Sequence, residues 1–323
     1  MARAAILDPR LEAISKRLDS LAAQKPELAE PIAFYRAALP VLQAAQVDIE
    51  PFSLPAHVAQ QKIDAGLPLL LGEALPLDPS ITQALFIRLC QIMEEIGLPE
   101  AKKRNGWPFQ FIRRDRSPDP AQLLEQAHTG NGAALRATAA GQIRRAVEQD
   151  QLDLMAIWSA LAAGDMQTIE RAARELKVDA ELLRATAQNS LKPAFQVWAR
   201  GFKEKIDLDH WRRGPCPICG GRPSLSEIQG KEGARHLRCG MCGADWYYPR
   251  LQCAFCHNRD HRQLGQLTVE GEAEKYSVQL CELCRSYLKT VITFEPIPAE
   301  LLPIEDLATL HLDMIATERN YSH

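Results

Sequence analysis

The sequence lacks an apolar run that could cross a membrane. Its most apolar stretch, residues 67–77, is interrupted by Pro68, Gly72, Glu73 and Pro76, whereas a spanning helix needs about 20 consecutive apolar residues. The first nine residues also contain no apolar stretch long enough for a signal peptide. These two absences predict a cytoplasmic protein that does not insert into membranes.

The sequence also lacks a strong charge of either sign. Its 38 Lys and Arg and 41 Asp and Glu give a formal net charge of −3, in a chain of 323 residues that is long enough for two or three domains. A chain so close to neutral does not require a nucleic-acid or membrane partner. It contains no phosphate-binding glycine loop and no nucleophile elbow, so we predict no catalytic residues and a protein that is not an enzyme.

Cysteine is almost absent from the first two thirds of the chain, where Cys90 is the single example. It lies on an apolar helical face, which is typical of a buried thiol. Apolar residues recur at helical spacing in several stretches of residues 1–204, which predicts a helical domain. Residues 99–120 are polar and proline-bearing, which predicts a loop. The predicted helices include residues 82–96, 120–127, 133–148, 152–163, 166–176 and 180–201.

The other eight cysteines form four Cys-x-x-Cys pairs within one short stretch. The pairs are Cys216 and Cys219, Cys239 and Cys242, Cys253 and Cys256, and Cys281 and Cys284. A Cys-x-x-Cys turn, or knuckle, directs two sulfurs towards one point, so two knuckles can form a tetrahedral four-thiolate site. Four pairs exceed the one that a dithiol redox enzyme needs, and in a reducing compartment they favour metal binding over structural disulfides.

The gaps between the knuckles favour a sequential pairing into two sites. The first and second knuckles are separated by 19 residues, the third and fourth by 24, and the second and third by only 10. Each longer gap can hold a β-hairpin that brings its two knuckles together. We therefore predict that the first and second knuckles form one metal site and that the third and fourth form another. An interleaved pairing, first with third and second with fourth, is also open.

The two predicted sites differ in the residue that follows each knuckle. Gly220 and Gly243 follow the knuckles of the first site, and glycine tolerates the left-handed backbone that turns amide groups towards sulfur. At the second site Asn258 can adopt this conformation, but Arg285 is a poorer fit. The second site is therefore predicted to bind metal more weakly or to be shaped for another purpose.

The sequence leaves the metal open, because tetrahedral four-sulfur sites suit both iron and zinc. Residues 212–262 carry nine Lys and Arg against four Asp and Glu, which we interpret as compensation for the negative thiolates. A zinc-ribbon nucleic-acid binder is an alternative that the slightly acidic chain disfavours. His257 and His261 flank the third knuckle, but four cysteines already suffice for the site. Residues 246–248, Trp-Tyr-Tyr, either cover a knuckle as core or form a docking surface.

The composition around the cysteines predicts short strands. We expect residues 235–238 to pair with 246–249 and residues 263–269 with 276–280, followed by a strand at 290–294 and a helix at 307–317. The predicted fold is α+β, with a mainly α-helical domain at residues 1–204. Two small rubredoxin-like or zinc-ribbon-like β modules follow, at residues 205–250 and at 251–323 with a C-terminal helix.

Four segments carry a resemblance to a known family. They are Cys-Pro-Ile-Cys-Gly at 216–220, Arg-His-Leu-Arg-Cys-Gly-Met-Cys-Gly-Ala-Asp-Trp at 235–246, Leu-Cys-Glu-Leu-Cys-Arg-Ser-Tyr-Leu-Lys at 280–289 and Glu-Asp-Leu-Ala-Thr-Leu-His-Leu-Asp at 305–313. Together with the knuckle at Cys253, they resemble the FdhE family of formate dehydrogenase accessory proteins. Residues 319–323 look less like the usual ending of that family.

The resemblance implies a cytoplasmic assembly factor for respiratory formate dehydrogenase, which binds the catalytic subunit of that enzyme before export. The family is described as rubredoxin-like iron proteins, so the resemblance favours iron at two four-cysteine sites, with zinc as the other possibility. All eight paired cysteines carry over position by position. A rubredoxin-like electron-transfer protein is the alternative function.

Overall fold

The computed structural model describes residues 8–97, 131–202, 206–208 and 210–323. The loop predicted at 99–120 and the helix predicted at 120–127 lie outside these residues. The predicted boundary between the helical and metal-binding parts, at residues 204 and 205, also lies outside them. The division of the chain into three domains therefore stays a prediction.

The N-terminal region is helical, as the apolar periodicity predicts. Helix α1 begins after Asp8, whose carboxylate accepts a hydrogen bond from the Arg10 amide at 2.9 Å, and a proline occupies its first turn. The helices described here are α1 (Pro9–Gln24), α2 (Ala29–Ala45), α3 (Ala56–Asp64), α4 (Pro79–Gly97), α5 (Asn131–Glu148), α6 (Leu154–Ala163), α7 (Met166–Leu176) and α8 (Ala180–Arg200).

Helix α4 lies at the centre of the helical region. The stripe that includes Leu89 and Ile92 is buried against α2, and Phe86 and Cys90 are buried in a second cluster with residues of α5 to α8. The periodicity of α4 therefore identifies its buried face correctly. Helix α3 was not predicted from the sequence.

The C-terminal region is built on one six-stranded sheet. Its strands are β1 (Leu225–Gln229), β2 (Ala234–Arg238), β3 (Asp245–Tyr247), β4 (Leu264–Leu267), β5 (Tyr276–Cys281) and β6 (Ser286–Thr293), in the order β3-β2-β1-β6-β5-β4. Neighbouring strands are antiparallel except β1 and β6, which are parallel. Strand β1, which was not predicted, joins the two predicted β modules into one sheet through the register Ser226↔Thr290.

Two short helices close the chain where the sequence predicted one. Helix α9 (Leu302–Ala308) and helix α10 (Leu310–Glu318) are separated at Thr309. Helix α9 packs its apolar side chains on α1, whereas α10 packs on β5 and β6. The closing helices thus connect the sheet to the beginning of the chain. The predicted α+β class, with a helical region before a β region that contains two four-cysteine clusters, is confirmed.

Candidate metal centres

The four knuckles come together in two clusters. Cys216, Cys219, Cys239 and Cys242 form the first cluster, and Cys253, Cys256, Cys281 and Cys284 form the second. Within each cluster the four sulfur atoms all lie within 4.8 Å of one another. This is the sequential grouping of knuckles, and the interleaved grouping does not occur.

The sulfur spacing fits a tetrahedral metal site better than disulfides. In the first cluster the sulfurs of Cys216 and Cys242 are 3.5 Å apart, and in the second those of Cys253 and Cys284 are 3.6 Å apart. A disulfide would need about 2.05 Å. Four sulfurs at about 2.3 Å from a central metal ion lie about 3.8 Å apart. The donor set and the geometry therefore fit one four-coordinate thiophilic ion per cluster.

The knuckles share one backbone design. In the first knuckle the Cys216 amide donates to the Gly221 carbonyl at 2.8 Å, and the Gly220 amide donates back to the Cys216 carbonyl at 2.9 Å. The second and third knuckles repeat both bonds from Cys239 and Cys253. The fourth is closed instead by the β5–β6 turn, where Cys281 pairs with Ser286. These bonds hold the two cysteines of each knuckle in a tight turn that brings their side chains close together.

Each knuckle is followed by a residue in the left-handed backbone region. Gly220 and Gly243 take this position at the first cluster, with φ angles of 78° and 75°. At the second cluster His257 and Arg285 take it, with φ angles of 61° and 54°. Asn258, which the sequence suggested for this role, does not have a positive φ. Because a β-carbon disfavours this conformation, the second cluster includes backbone strain that the first avoids.

The first cluster lies deep in the molecule, at the junction of the helical and β regions. Three of its cysteines are buried in one core with Trp198 of α8 and with Trp211 and Trp246. The loop after α3 docks directly on the first knuckle, because the Leu69 and Leu70 amides donate to the carbonyls of residues 217 and 218, each at 2.9 Å. No local pattern in the sequence predicts this contact.

The second cluster lies closer to the surface. Cys253 and Cys281 are buried, but Cys256 and Cys284 are partly exposed. A cavity of about 190 Å³ is lined by both buried cysteines and by Arg235 of β2. The second cluster is therefore the more accessible of the two.

Arg235 lines the cavity beside the second cluster, and the sequence did not indicate this position. Its side chain is 2% exposed and donates to the Pro249 and Gln252 carbonyls at 3.2 and 2.9 Å, which fixes the segment before Cys253. No carboxylate pairs with it among the described residues, and burial lowers the pKa of its guanidinium to about 10. Thiolates at the neighbouring cluster would supply the missing negative charge.

The thiols of each cluster differ in their ease of ionisation. Burial raises the pKa of Cys253 to about 12. Burial also raises the pKa of Cys284, but hydrogen bonds from Ser286 and Cys256 outweigh it and the pKa lies at about 7. In the first cluster, hydrogen bonds from the other cysteines hold the pKa of Cys239 well below its usual range. A cation is the natural means of stabilising four thiolates in so small a space.

The flanking aromatic and histidine residues fall into two groups. Trp246 and Tyr248 are buried, whereas Tyr247 is exposed. The Tyr248 hydroxyl donates to the Cys253 carbonyl at 2.8 Å and lies 2.9 Å from Nδ1 of His257, so these residues support the third knuckle from outside the sulfur cluster. His261 begins a short 3₁₀ turn and is also outside the cluster.

Cys90, the cysteine outside both clusters, is buried as the sequence predicts. Burial raises the pKa of its thiol to about 12.

Among the described residues, no helix is both long enough and apolar enough to cross a membrane.

Comparisons with known proteins point to one family. A family model described as "FdhE, central domain" matches residues 215–250, which include the first cluster. The "Protein FdhE homolog" of Aquifex aeolicus is 33% identical over 144 residues, which are 44% of this chain and 50% of that protein. The homolog of Pseudomonas aeruginosa is 33% identical over 138 residues, or 41% of this chain and 44% of that protein. The match thus spans about half the length of these relatives.

Two further matches extend over more of the chain. The "Protein FdhE homolog" of Rhizobium meliloti is 29% identical over 228 residues, which are 66% of this chain and 67% of that protein. The crystal structure of the FdhE protein from Pseudomonas aeruginosa aligns with 96% of this chain and 92% of that one, at 21% identity and a TM-score of 0.49. The family match and the curated relatives agree with the resemblance seen in the knuckles and their flanks, and they support the FdhE family for this chain.

Proposed function

We propose that this protein is a cytoplasmic accessory factor for the assembly of respiratory formate dehydrogenase and that it carries one metal ion in each four-cysteine cluster. The observation that carries the proposal is the pair of four-sulfur clusters within a chain that is similar to FdhE proteins. In this proposal the protein binds the catalytic subunit before export and catalyses no reaction itself.

The two sites have different roles in this proposal. At the first cluster a metal ion would crosslink the sheet to the core that contains α8, so its role is structural. At the second cluster an ion would lie near the surface, beside the partly exposed Cys256 and Cys284, where a partner can influence it. We favour iron on the family resemblance, although the same sulfur geometry accepts zinc.

Binding to the apo catalytic subunit tests the partner. The metal-loaded protein should bind this subunit in a pull-down and by calorimetry, and a strain that lacks the protein should lose formate dehydrogenase activity. Variants with serine at Cys253 and Cys281 should restore less activity than the matched Cys90→Ala variant, which changes a cysteine outside both clusters. Absence of binding, together with normal enzyme activity in the deletion strain, would refute the proposed function.

A rubredoxin-like electron carrier is the second candidate. The partial exposure of Cys256 and Cys284 favours it, because electrons exchange most easily with a cluster near the surface. An iron-loaded protein would then absorb visible light, bleach on reduction and recover on oxidation. A zinc-loaded protein that still restores formate dehydrogenase activity would exclude this candidate and leave the accessory function intact.

A further inference from the structure

Residues 319–323 run back along the fourth knuckle and pair with it. The Ser322 amide donates to the Arg285 carbonyl at 2.9 Å, and the Tyr287 amide donates to the Ser322 carbonyl at 3.0 Å. Ser322 thereby forms a parallel bridge with Ser286, two residues after Cys284. We call residues 319–323 the tail segment. Its backbone is directly bonded to the backbone that leaves the second cluster.

The side chains on both sides of Cys284 are also bound to the tail segment. Arg285 donates to the Arg319 carbonyl at 2.7 Å, and its guanidinium carbon lies 3.9 Å from the centre of the Tyr321 ring. The Tyr321 hydroxyl donates to the carboxylate of Glu282, which also pairs with Arg285. The outer part of the fourth knuckle therefore contacts the tail segment through both main chain and side chains.

The tail segment reaches the third knuckle as well. The His323 ring lies edge-on to the ring of Phe255, with 5.9 Å between the ring centres. Phe255 lies between Cys253 and Cys256 in the sequence and is therefore part of the third knuckle. It also lies 5.6 Å from the Tyr287 ring, and its Nε2 is 3.1 Å from the Pro223 carbonyl. One short segment thus contacts both knuckles of the second cluster and the chain just after the first knuckle.

The contacts with the tail segment stabilise an unfavourable backbone conformation at Arg285. Its φ of 54° is unfavourable for a residue with a β-carbon, and such a residue persists only where its surroundings hold it. The corresponding positions at the first cluster are glycines, which need no such support. The tail segment supplies the bonds that hold Arg285 in place.

We propose that the tail segment positions the fourth knuckle for metal binding, so that docking of residues 319–323 and metal binding at the second cluster stabilise each other. This inference rests on the proposed function in so far as the second cluster binds a metal ion. Reciprocity follows from thermodynamic linkage: if docking raises the metal affinity, the metal must stabilise docking by the same factor. The tail segment thereby becomes a part of the molecule that responds to the metal state of the second cluster.

A proline substitution isolates the tail contact. Ser322→Pro removes the amide that donates to Arg285, whereas the matched Ser322→Ala variant keeps this amide and changes only an exposed side chain. The apo full chain is titrated with Co²⁺, whose thiolate complexes absorb visible light, in competition with a chelator. The wild type and Ser322→Ala should bind two ions, and Ser322→Pro should bind one of them about tenfold more weakly, as expected for the loss of about 1.4 kcal/mol of coupling.

Amide exchange provides a second measurement that does not depend on the variant's folding. Adding metal to the wild-type apo protein should slow exchange at the amides of Ser322 and Tyr287, the two that pair the tail segment with the fourth knuckle. Equal affinities for Ser322→Pro and Ser322→Ala, or metal-independent exchange at both amides, would overturn the coupling. A wild-type protein that binds only one ion would instead refute the proposed second metal site, and the coupling with it.

Discussion

At the scale of single residues, the two clusters differ in the residue type at the left-handed backbone position that follows each knuckle. A knuckle ends in a left-handed residue, and the first cluster meets this demand with Gly220 and Gly243. The second cluster places His257 and Arg285 there and supports them with the Tyr248 hydroxyl and the tail segment. The sequence correctly distinguished the two clusters by their glycines, but the supports come from distant segments and have no local signal.

Gly243→Ala should weaken the first metal site. The φ of Gly243 is 75°, and an added β-carbon would lie only 2.6 Å from Cβ of Ala299, so both backbone strain and a steric clash would result. We expect a loss of about 2 kcal/mol in the free energy of unfolding of the metal-loaded protein, measured by chemical denaturation. Gly271→Ala is the matched control, because Gly271 has a φ of 80° but open space around its α-carbon. Equal losses in the two variants would contradict this explanation.

At the scale of elements, the loop after α3 depends on the first knuckle. Leu69 and Leu70 are buried, and their amides have no helix or strand partner but bond to the carbonyls of residues 217 and 218. This pairing joins two segments that lie about 150 residues apart in the sequence. A buried backbone amide needs a hydrogen-bond acceptor, and the knuckle supplies it here. The loop therefore belongs structurally to the metal centre.

Removal of metal from the first site should release this loop. Chelation should speed amide exchange at Leu69 and Leu70, because their acceptors lie within the knuckle that the ion holds. The amide of Leu67, which donates to Lys62 at the end of α3, is the internal control and should change less. Unchanged exchange at Leu69 and Leu70 in the metal-free protein would show that the loop is held independently of the ion.

The elements show what the sequence could and could not predict. Helix α4 and the cysteine pairs were predictable because a helical stripe and a Cys-x-x-Cys spacing are local patterns. Strand β1 was missed, and its parallel pairing with β6 joins the two modules, which no local pattern encodes. The break at Thr309 was also missed, because the apolar pattern continues across it while the hydroxyl bonds the Glu305 carbonyl at 2.8 Å. Long-range pairing and side-chain bonding decided these features.

At the scale of the whole molecule, buried and partly buried ionisable side chains connect helix α1 to helices α9 and α10. Lys25, after α1, lies 3.1 Å from Nδ1 of His311 in α10, and Nε2 of His311 lies 2.7 Å from Glu272 in the β4–β5 connection. Arg17 of α1 likewise pairs with Glu305 of α9. These contacts hold the helical region against the sheet that carries both clusters.

The histidine in this network predicts a pH dependence of stability. Burial is the main cause that lowers the pKa of His311 from 6.5, and the charge of Lys25 is the next. Just below pH 6.5 the unfolded chain therefore binds a proton at this histidine that the folded chain does not bind. The stability from neutral His311 is present above about pH 6.5 and is lost as the pH falls towards the folded pKa. Thermal unfolding from about pH 7.5 to 5.5 should therefore show a shallower decline for His311→Gln than for the wild type. The exposed His57→Gln variant is the control and should keep the wild-type slope; identical slopes in all three proteins would count against this role of His311.

We expect each four-cysteine cluster to bind one metal ion, and the metal content of the purified protein tests this expectation. The protein purified with and without oxygen should contain two iron or zinc ions per chain by elemental analysis, and its visible spectrum identifies iron. Serine at both Cys253 and Cys281 should reduce the content to one ion, whereas Cys90→Ala should keep two. A wild-type protein that contains no tightly bound metal, or whose paired cysteines are isolated as disulfides, would show that the two clusters are not metal sites.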